Sequence, residues 1–161
     1  MSKPHLLIIW HSRTGASEAL ARSAFARAAA NTRLLRAHEV EAGDLESAAG
    51  FLFVCPENLA SMSGEMKEMF DRCYYPVLGR IEGRPFATII AAGTDGEGAQ
   101  RQIDRIAKGW GLKRVAEPLI VCTNAATEAE ILAPKSLGKG DLLRAAELGE
   151  ALSIGINEGI F

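Results

Sequence analysis

Hydroxyls and a glycine crowd six consecutive positions, Ser12, Arg13, Thr14, Gly15, Ala16 and Ser17, directly behind the apolar run Leu6 to Trp10 and ahead of an alanine-rich segment of high helix propensity. A helix that begins here leaves its first backbone N–H groups without internal partners, and its dipole adds roughly half a positive charge at the same point. Gly15 lets the backbone approach a ligand closely, while Ser12, Thr14 and Ser17 bring O–H donors. Together these groups suit a phosphate. The plain alternative is that Ser12 or Thr14 only caps the helix and Gly15 only makes the turn. The segment is neither Gly-x4-Gly-Lys-Ser/Thr nor Gly-x-Gly-x-x-Gly, so a nucleoside triphosphate is disfavoured and a dinucleotide fold is not indicated.

Two further segments follow apolar runs in the same way. Pro56, Glu57, Asn58, Leu59, Ala60, Ser61 and Met62 form a polar loop after Gly50 to Cys55, with Pro56 expected to end the strand. Gly93, Thr94, Asp95, Gly96, Glu97 and Gly98 follow Phe86 to Ala92, and three glycines in six residues permit positive φ and close approach to a flat ligand. Asp95 and Glu97 read as solvated turn carboxylates. Met66, Met69 and Phe70 recur at helical spacing and read as core, with Met62 in the expected first turn able to serve core and ligand alike. Nucleophilic triads, paired carboxylates and metal-spaced His/Cys clusters are absent, so no catalytic side chain and no metal is assigned. His11 at a strand end reads as bonding a neighbouring backbone group, and Cys55 as a buried small hydrophobe.

The elements that must position these loops alternate as in βαβ units. Strands are expected at Leu6 to Trp10, Arg33 to His38, Gly50 to Cys55, Phe86 to Ala92 and Pro118 to Cys122. Helices are expected at Gly15 to Ala30, Met62 to Tyr75, Gly98 to Trp110 and Asp141 to Ile156, the last with Asp141 as N-cap, and a short one at Asp44 to Ala49. Right-handed crossovers favour a doubly wound α/β fold: a five-stranded parallel sheet of order 2-1-3-4-5, helices on both faces, in one domain. Ligands of such sheets sit outside the carboxyl ends of the strands, where the three segments lie.

The 161 residues carry 18 Lys and Arg against 20 Asp and Glu, which gives no electrostatic footprint for nucleic acid or an anionic membrane. Three cysteines without a CxxC suit a reducing cytoplasm, and no signal peptide or membrane span is read.

The run from Ser12 to Ser17 after an N-terminal strand resembles the phosphate loop of flavodoxins and related reductases that bind flavin mononucleotide (FMN). Pro56 to Lys67 and Gly93 to Gln100 resemble the two isoalloxazine loops of the NAD(P)H-dependent quinone and FMN reductase branch, and Trp110-Gly111-Leu112 fits the same pattern. The resemblance implies a flavodoxin-like fold, FMN as cofactor, and hydride from NAD(P)H passed through the flavin to a quinone or similar small acceptor. An electron carrier without its own substrate is the alternative, and a regulatory domain without cofactor a third reading. Neither ring loop contains the aromatic residue common in carriers, which leaves a ring face open. Ala60 stands at the glycine of the reductase pattern, with Asn58 tolerant of positive φ, and Glu97 stands where that branch often has histidine. Tyr74-Tyr75-Pro76, read as the end of a helix, and the apolar tail to Phe161 are candidates for contacts in a homo-oligomer.

Overall fold

The computed structural model describes residues 2–161. Strand β1 (Leu6–Trp10) is buried along its whole length. Its alternating side chains serve two cores, Leu7 and Ile9 on one face of the sheet and Leu6, Ile8 and Trp10 on the other. Parallel to it lie β2 (Arg33–Arg36) and β3 (Gly50–Asn58), and β5 (Pro85–Ala92) follows β3. The far edge is one strand in two pieces. β6 (Lys113–Arg114) pairs with the start of β5, and β7 (Leu119–Cys122) pairs with its end. The order β2-β1-β3-β5-β7 is the expected 2-1-3-4-5 with two short strands added.

Helices α1 (Ala16–Arg27) and α6 (Lys139–Asn157) cover the face carrying Leu6, Ile8 and Val54. The other face, built on Phe51, Phe53 and Ile90, is covered by α2 (Ala42–Ser47), α3 (Gly64–Val77) and α4 (Glu97–Gly109). Met66, Met69 and Phe70 are buried there as the helical spacing predicts. A sixth helix, α5 (Glu128–Leu132), packs no buried residue and has no counterpart among the expected elements.

Several boundaries differ for local reasons. The third strand does not stop at Pro56: Pro56 stays in register opposite Ala91, its carbonyl accepts the Ser63 N–H at 3.1 Å, and the strand runs on to Asn58. There it folds back on β4 (Ser61–Met62) as a hairpin, so Met62 sits in a strand and not in the first turn of a helix. The second strand ends at Arg36, where residues Ala37–Glu39 form a 3-10 turn that includes His38. Helix α6 starts earlier than expected, with Gly138 as N-cap and Asp141 in the first turn. Helix α3 continues past Tyr75 through Pro76 to Val77.

Helix α4 is fixed to β5 and the edge by a polar network. Thr88, fully buried, donates to Gln100 Oε1 at 2.7 Å and accepts from Arg114 Nη2 at 2.8 Å. Gln100 Nε2 donates to Asp104 at 3.0 Å, Arg114 pairs with Asp104 at 2.6 Å, and its guanidinium lies 4.7 Å from the Phe86 ring centre. Each member satisfies another, so removing one strands a buried partner. Thr88→Val keeps the shape and removes the hydroxyl. It is expected to destabilise the fold by about 1–3 kcal/mol, read as a lower urea midpoint with unchanged slope; an unchanged midpoint would show the network to be dispensable.

Candidate functional site at the carboxyl edge of the sheet

From β1 the chain crosses to β2 on one side, while β3 lies on the other, which opens a crevice between the carboxyl ends of β1 and β3. All three segments singled out in the sequence emerge at this edge. Gly15, not Ser12 or Thr14, is the N-cap of α1, with φ +103°, a conformation that strains any residue with a Cβ. Ser12 Oγ accepts the Gly15 N–H at 3.0 Å and shapes the loop from within. The amides of Ala16 and Ser17, in the first turn, have no partner inside the helix. Ser17 Oγ is buried at 1% exposure and has no hydrogen-bond partner in the structure. A buried hydroxyl is costly to leave unpaired, and this one lies in the turn that offers free amides.

The hairpin between β3 and β4 turns on Leu59 and Ala60, at φ 52° and 63°. Two-residue hairpins of this hand favour Asn-Gly, so a Leu-Ala turn stores strain at the rim of the crevice. Positive φ thus falls on Leu59 and Ala60 and not on Asn58, which remains in the strand. Leu59 is fully exposed at the tip, while Met62 is buried in the core.

Glu57 joins the hairpin to the next loop. Its Oε1 accepts the Gly96 N–H and its Oε2 the Ala99 N–H, each at 3.0 Å, so one carboxylate caps the N-terminus of α4 from a neighbouring strand. Gly96 is the N-cap of that helix, and Asp95 Oδ1 adds a bond from the Glu97 N–H at 3.3 Å. A Cβ at Gly98 would lie 2.2 Å from the Ala60 carbonyl oxygen, and one at Gly93 would lie 2.6 Å from that of Ala125. The close approach these glycines permit is to neighbouring backbone.

His11 ties the first loop to the second. Its Nδ1 is 2.8 Å from Ser63 Oγ and its Nε2 is 3.4 Å from Glu65, so it bonds side chains and not the backbone group expected. Burial holds its pKa below the usual histidine value, His38 adds to that, and Glu65 opposes it. Cys55, beneath Ser63, is fully buried, and burial pushes its thiol up to about 12.

The crevice is lined by Arg13, Thr14, Ala16, Pro56, Glu57, Asn58 and Gly93 from the expected segments, with Pro56, Glu57 and Asn58 still in β3. Ser12 lines a separate polar cleft with His11, Arg36 and Glu65. Gly15, Ser17, Leu59, Ala60, Ser61, Met62, Thr94, Asp95, Gly96, Glu97 and Gly98 do not line the crevice; Gly15 and Ser17 lie at the start of α1 behind Thr14 and Ala16, Ser61 and Met62 bond Gln102, and the remainder form the rim or cap α4. Missed in the sequence is a fourth wall from the segment after β7, comprising Thr123, Ala125, Ile131 and Lys135. Thr127-Glu128-Ala129-Glu130 carries the signature of a capping box, and the box is formed: Glu130 N–H donates to Thr127 Oγ1 at 3.2 Å, while Glu130 Oε2 accepts from Ala126 and Thr127.

The sequence model of the family described as NADPH-dependent FMN reductase matches residues 38–124, more than half of the chain. This chain belongs to that family. Its cofactor is FMN, and it is a flavoprotein of an oxidoreductase family. The matched stretch contains both expected ring loops and ends short of Lys135, and it begins after the loop 12–17. Among solved structures, a flavodoxin from the domain Archaea is 16% identical over 97% of this chain and 98% of its own, with a TM-score of 0.76. The flavodoxin-like WrbA-like protein of Agrobacterium tumefaciens is 14% identical over 98% of this chain and 99% of its own, with a TM-score of 0.69. Rubredoxin oxygen:oxidoreductase of Desulfovibrio gigas is 13% identical over 98% of this chain but only 38% of its own, at a TM-score of 0.75. At these identities the likeness shows the flavodoxin-like fold. No curated protein matches the chain. The free amides of Ala16 and Ser17 and the unpaired Ser17 hydroxyl are donors of the kind a phosphate such as that of FMN accepts from, and Thr14 and Ala16 of the same loop line the crevice. Among the described residues, no helix is long and apolar enough to cross a membrane.

Two outcomes check this geometry. Glu57→Gln removes the charge and one acceptor from the cap of α4; the amides of Gly96 and Ala99 should exchange with solvent about 5- to 150-fold faster, which is about 1–3 kcal/mol of lost protection. Unaltered exchange would mean that the clamp is not holding the two loops. At pH 8 a thiol reagent is expected to modify exposed Cys122 on the native protein and to leave Cys55 protonated and unlabelled. Labelling of Cys55 at the rate of Cys122 contradicts its burial.

Proposed function

We propose that this chain is an NAD(P)H-dependent oxidoreductase that passes electrons through FMN to a quinone or similar small acceptor. The observation that carries this reading is the lining of the crevice: Ala91, Ala92, Gly93 and Ala125 with no aromatic side chain among its lining residues. A flat ring between the second and third loops then keeps a face free for a nicotinamide or a planar acceptor. FMN, when bound, supplies the chemistry of accepting hydride and releasing electrons. The chain's own part is positioning. Ala16 and Ser17 N–H groups and the Thr14 and Ser17 hydroxyls hold the phosphate, while Pro56, Glu57 and Asn58 line the ring side. Glu57 keeps the two ring loops in register by capping α4.

A formal charge of -2 over 161 residues is nearly neutral, whereas carriers usually present a strongly acidic face to their redox partners, which favours an enzyme over a carrier. Mixing the FMN-loaded protein with NADPH or NADH under anaerobic conditions is expected to bleach the flavin absorbance within seconds, and a water-soluble benzoquinone to restore it. If dithionite bleaches the flavin and neither nicotinamide does, the enzyme reading is wrong and the carrier reading takes its place.

A further inference from the structure

The wall absent from the sequence reading spans the crevice from one loop to another. Leaving β7, Asn124 N–H donates to the Gly93 carbonyl at 2.8 Å, beside the third loop. After α5 the chain arrives at the first loop, where Lys135 N–H donates to the Thr14 carbonyl at 2.8 Å. The Lys135 ammonium lies 3.3 Å from Thr14 Oγ1, 2.9 Å from the Ile131 carbonyl oxygen and 2.6 Å from that of Ala133. Its three N–H groups therefore meet three neutral acceptors. Among the described residues, no carboxylate forms an ion pair with it.

A half-buried cation without a counter-charge is held against the hydroxyl of the loop that also offers the free amides of Ala16 and Ser17 and the unpaired Ser17 Oγ. Arg13 and Lys135 are the cationic side chains lining the crevice. Backbone amides and hydroxyls recognise phosphate oxygens by geometry and leave the net charge to be balanced. We propose that Lys135 is a phosphate-binding residue of this site: its ammonium balances the charge of a phosphomonoester seated on residues 12–17 and makes binding depend on that phosphate. Its bond to Thr14 places the charge before the ligand arrives, with the carbonyls of Ile131 and Ala133 fixing the side chain. This inference rests on the FMN assignment and adds to it the residue that distinguishes FMN from riboflavin, which has the same ring and no phosphate.

Affinities of FMN and riboflavin are to be measured by fluorescence quenching for the full chain, for Lys135→Met and for Lys135→Arg. Methionine keeps the aliphatic stem and the backbone N–H to Thr14, so the strap stays in place. FMN binding is expected to weaken at least about tenfold in Lys135→Met and to lose part of its salt dependence, with recovery in Lys135→Arg. Riboflavin binding should stay within about twofold. Parallel loss of both flavins in Lys135→Met would make Lys135 a structural latch, and loss of neither would make it a bystander; either overturns the proposal. Failure of the unaltered chain to bind FMN would instead sink the assignment on which the proposal stands.

Discussion

Right-handed crossovers in a parallel sheet force the chain to leave β1 toward one face and β3 toward the other. The crevice this opens is bordered by backbone groups that no strand or helix partner can reach. Free amides in the first turn of α1 are one consequence, and the αL conformation of Gly15 another. Water satisfies such groups at an open surface, but Ser17 Oγ is buried and unpaired. The region is thus left with unpaired donors of the kind that anions accept from.

Three long-range contacts turn that edge into one rigid wall set. His11 joins the first loop to Ser63 at the start of α3, Glu57 joins the hairpin to α4, and Lys135 joins the strap to Thr14. Of these the Glu57 clamp has the most favourable physics, since one carboxylate takes two amides at a helix N-terminus. The Leu59-Ala60 turn shows the opposing term. Positive φ at residues with a Cβ costs of order 1–3 kcal/mol each, and the pairing of Glu57 with Met62 and Asn58 with Ser61 holds the turn against it.

Four of the five main strands are apolar runs bounded by turn residues, and their order followed from crossover handedness; these features can be read from a single sequence. The parts that escaped lack such a signal. β6 is Lys113–Arg114, a polar pair whose strand character comes only from lying beside Pro85 and Phe86. The hairpin uses Leu-Ala where the readable signal is Asn-Gly, and the proline before it suggests an end that does not occur, because the Pro56 carbonyl still finds Ser63. α5 announced itself by the Thr127 to Glu130 capping box, yet it has no apolar stripe to support the reading. Lys135 meets Thr14 across 121 residues, a contact that no local pattern encodes. The loop residues were legible as a set. Which of them face the crevice and which cap a helix was not, because that depends on the Glu57 clamp.

Ser17→Ala tests the central claim most directly, because the account assigns it opposite effects with and without ligand. Without flavin the variant should melt at the same temperature as the parent or higher, since a buried unpaired hydroxyl is removed. The rise in melting temperature on adding FMN should shrink, since a phosphate partner is lost. An FMN-induced rise equal to the parent's would contradict the assignment of the Ser17 hydroxyl to the phosphate, the one buried unpaired donor on which the account of the first loop rests.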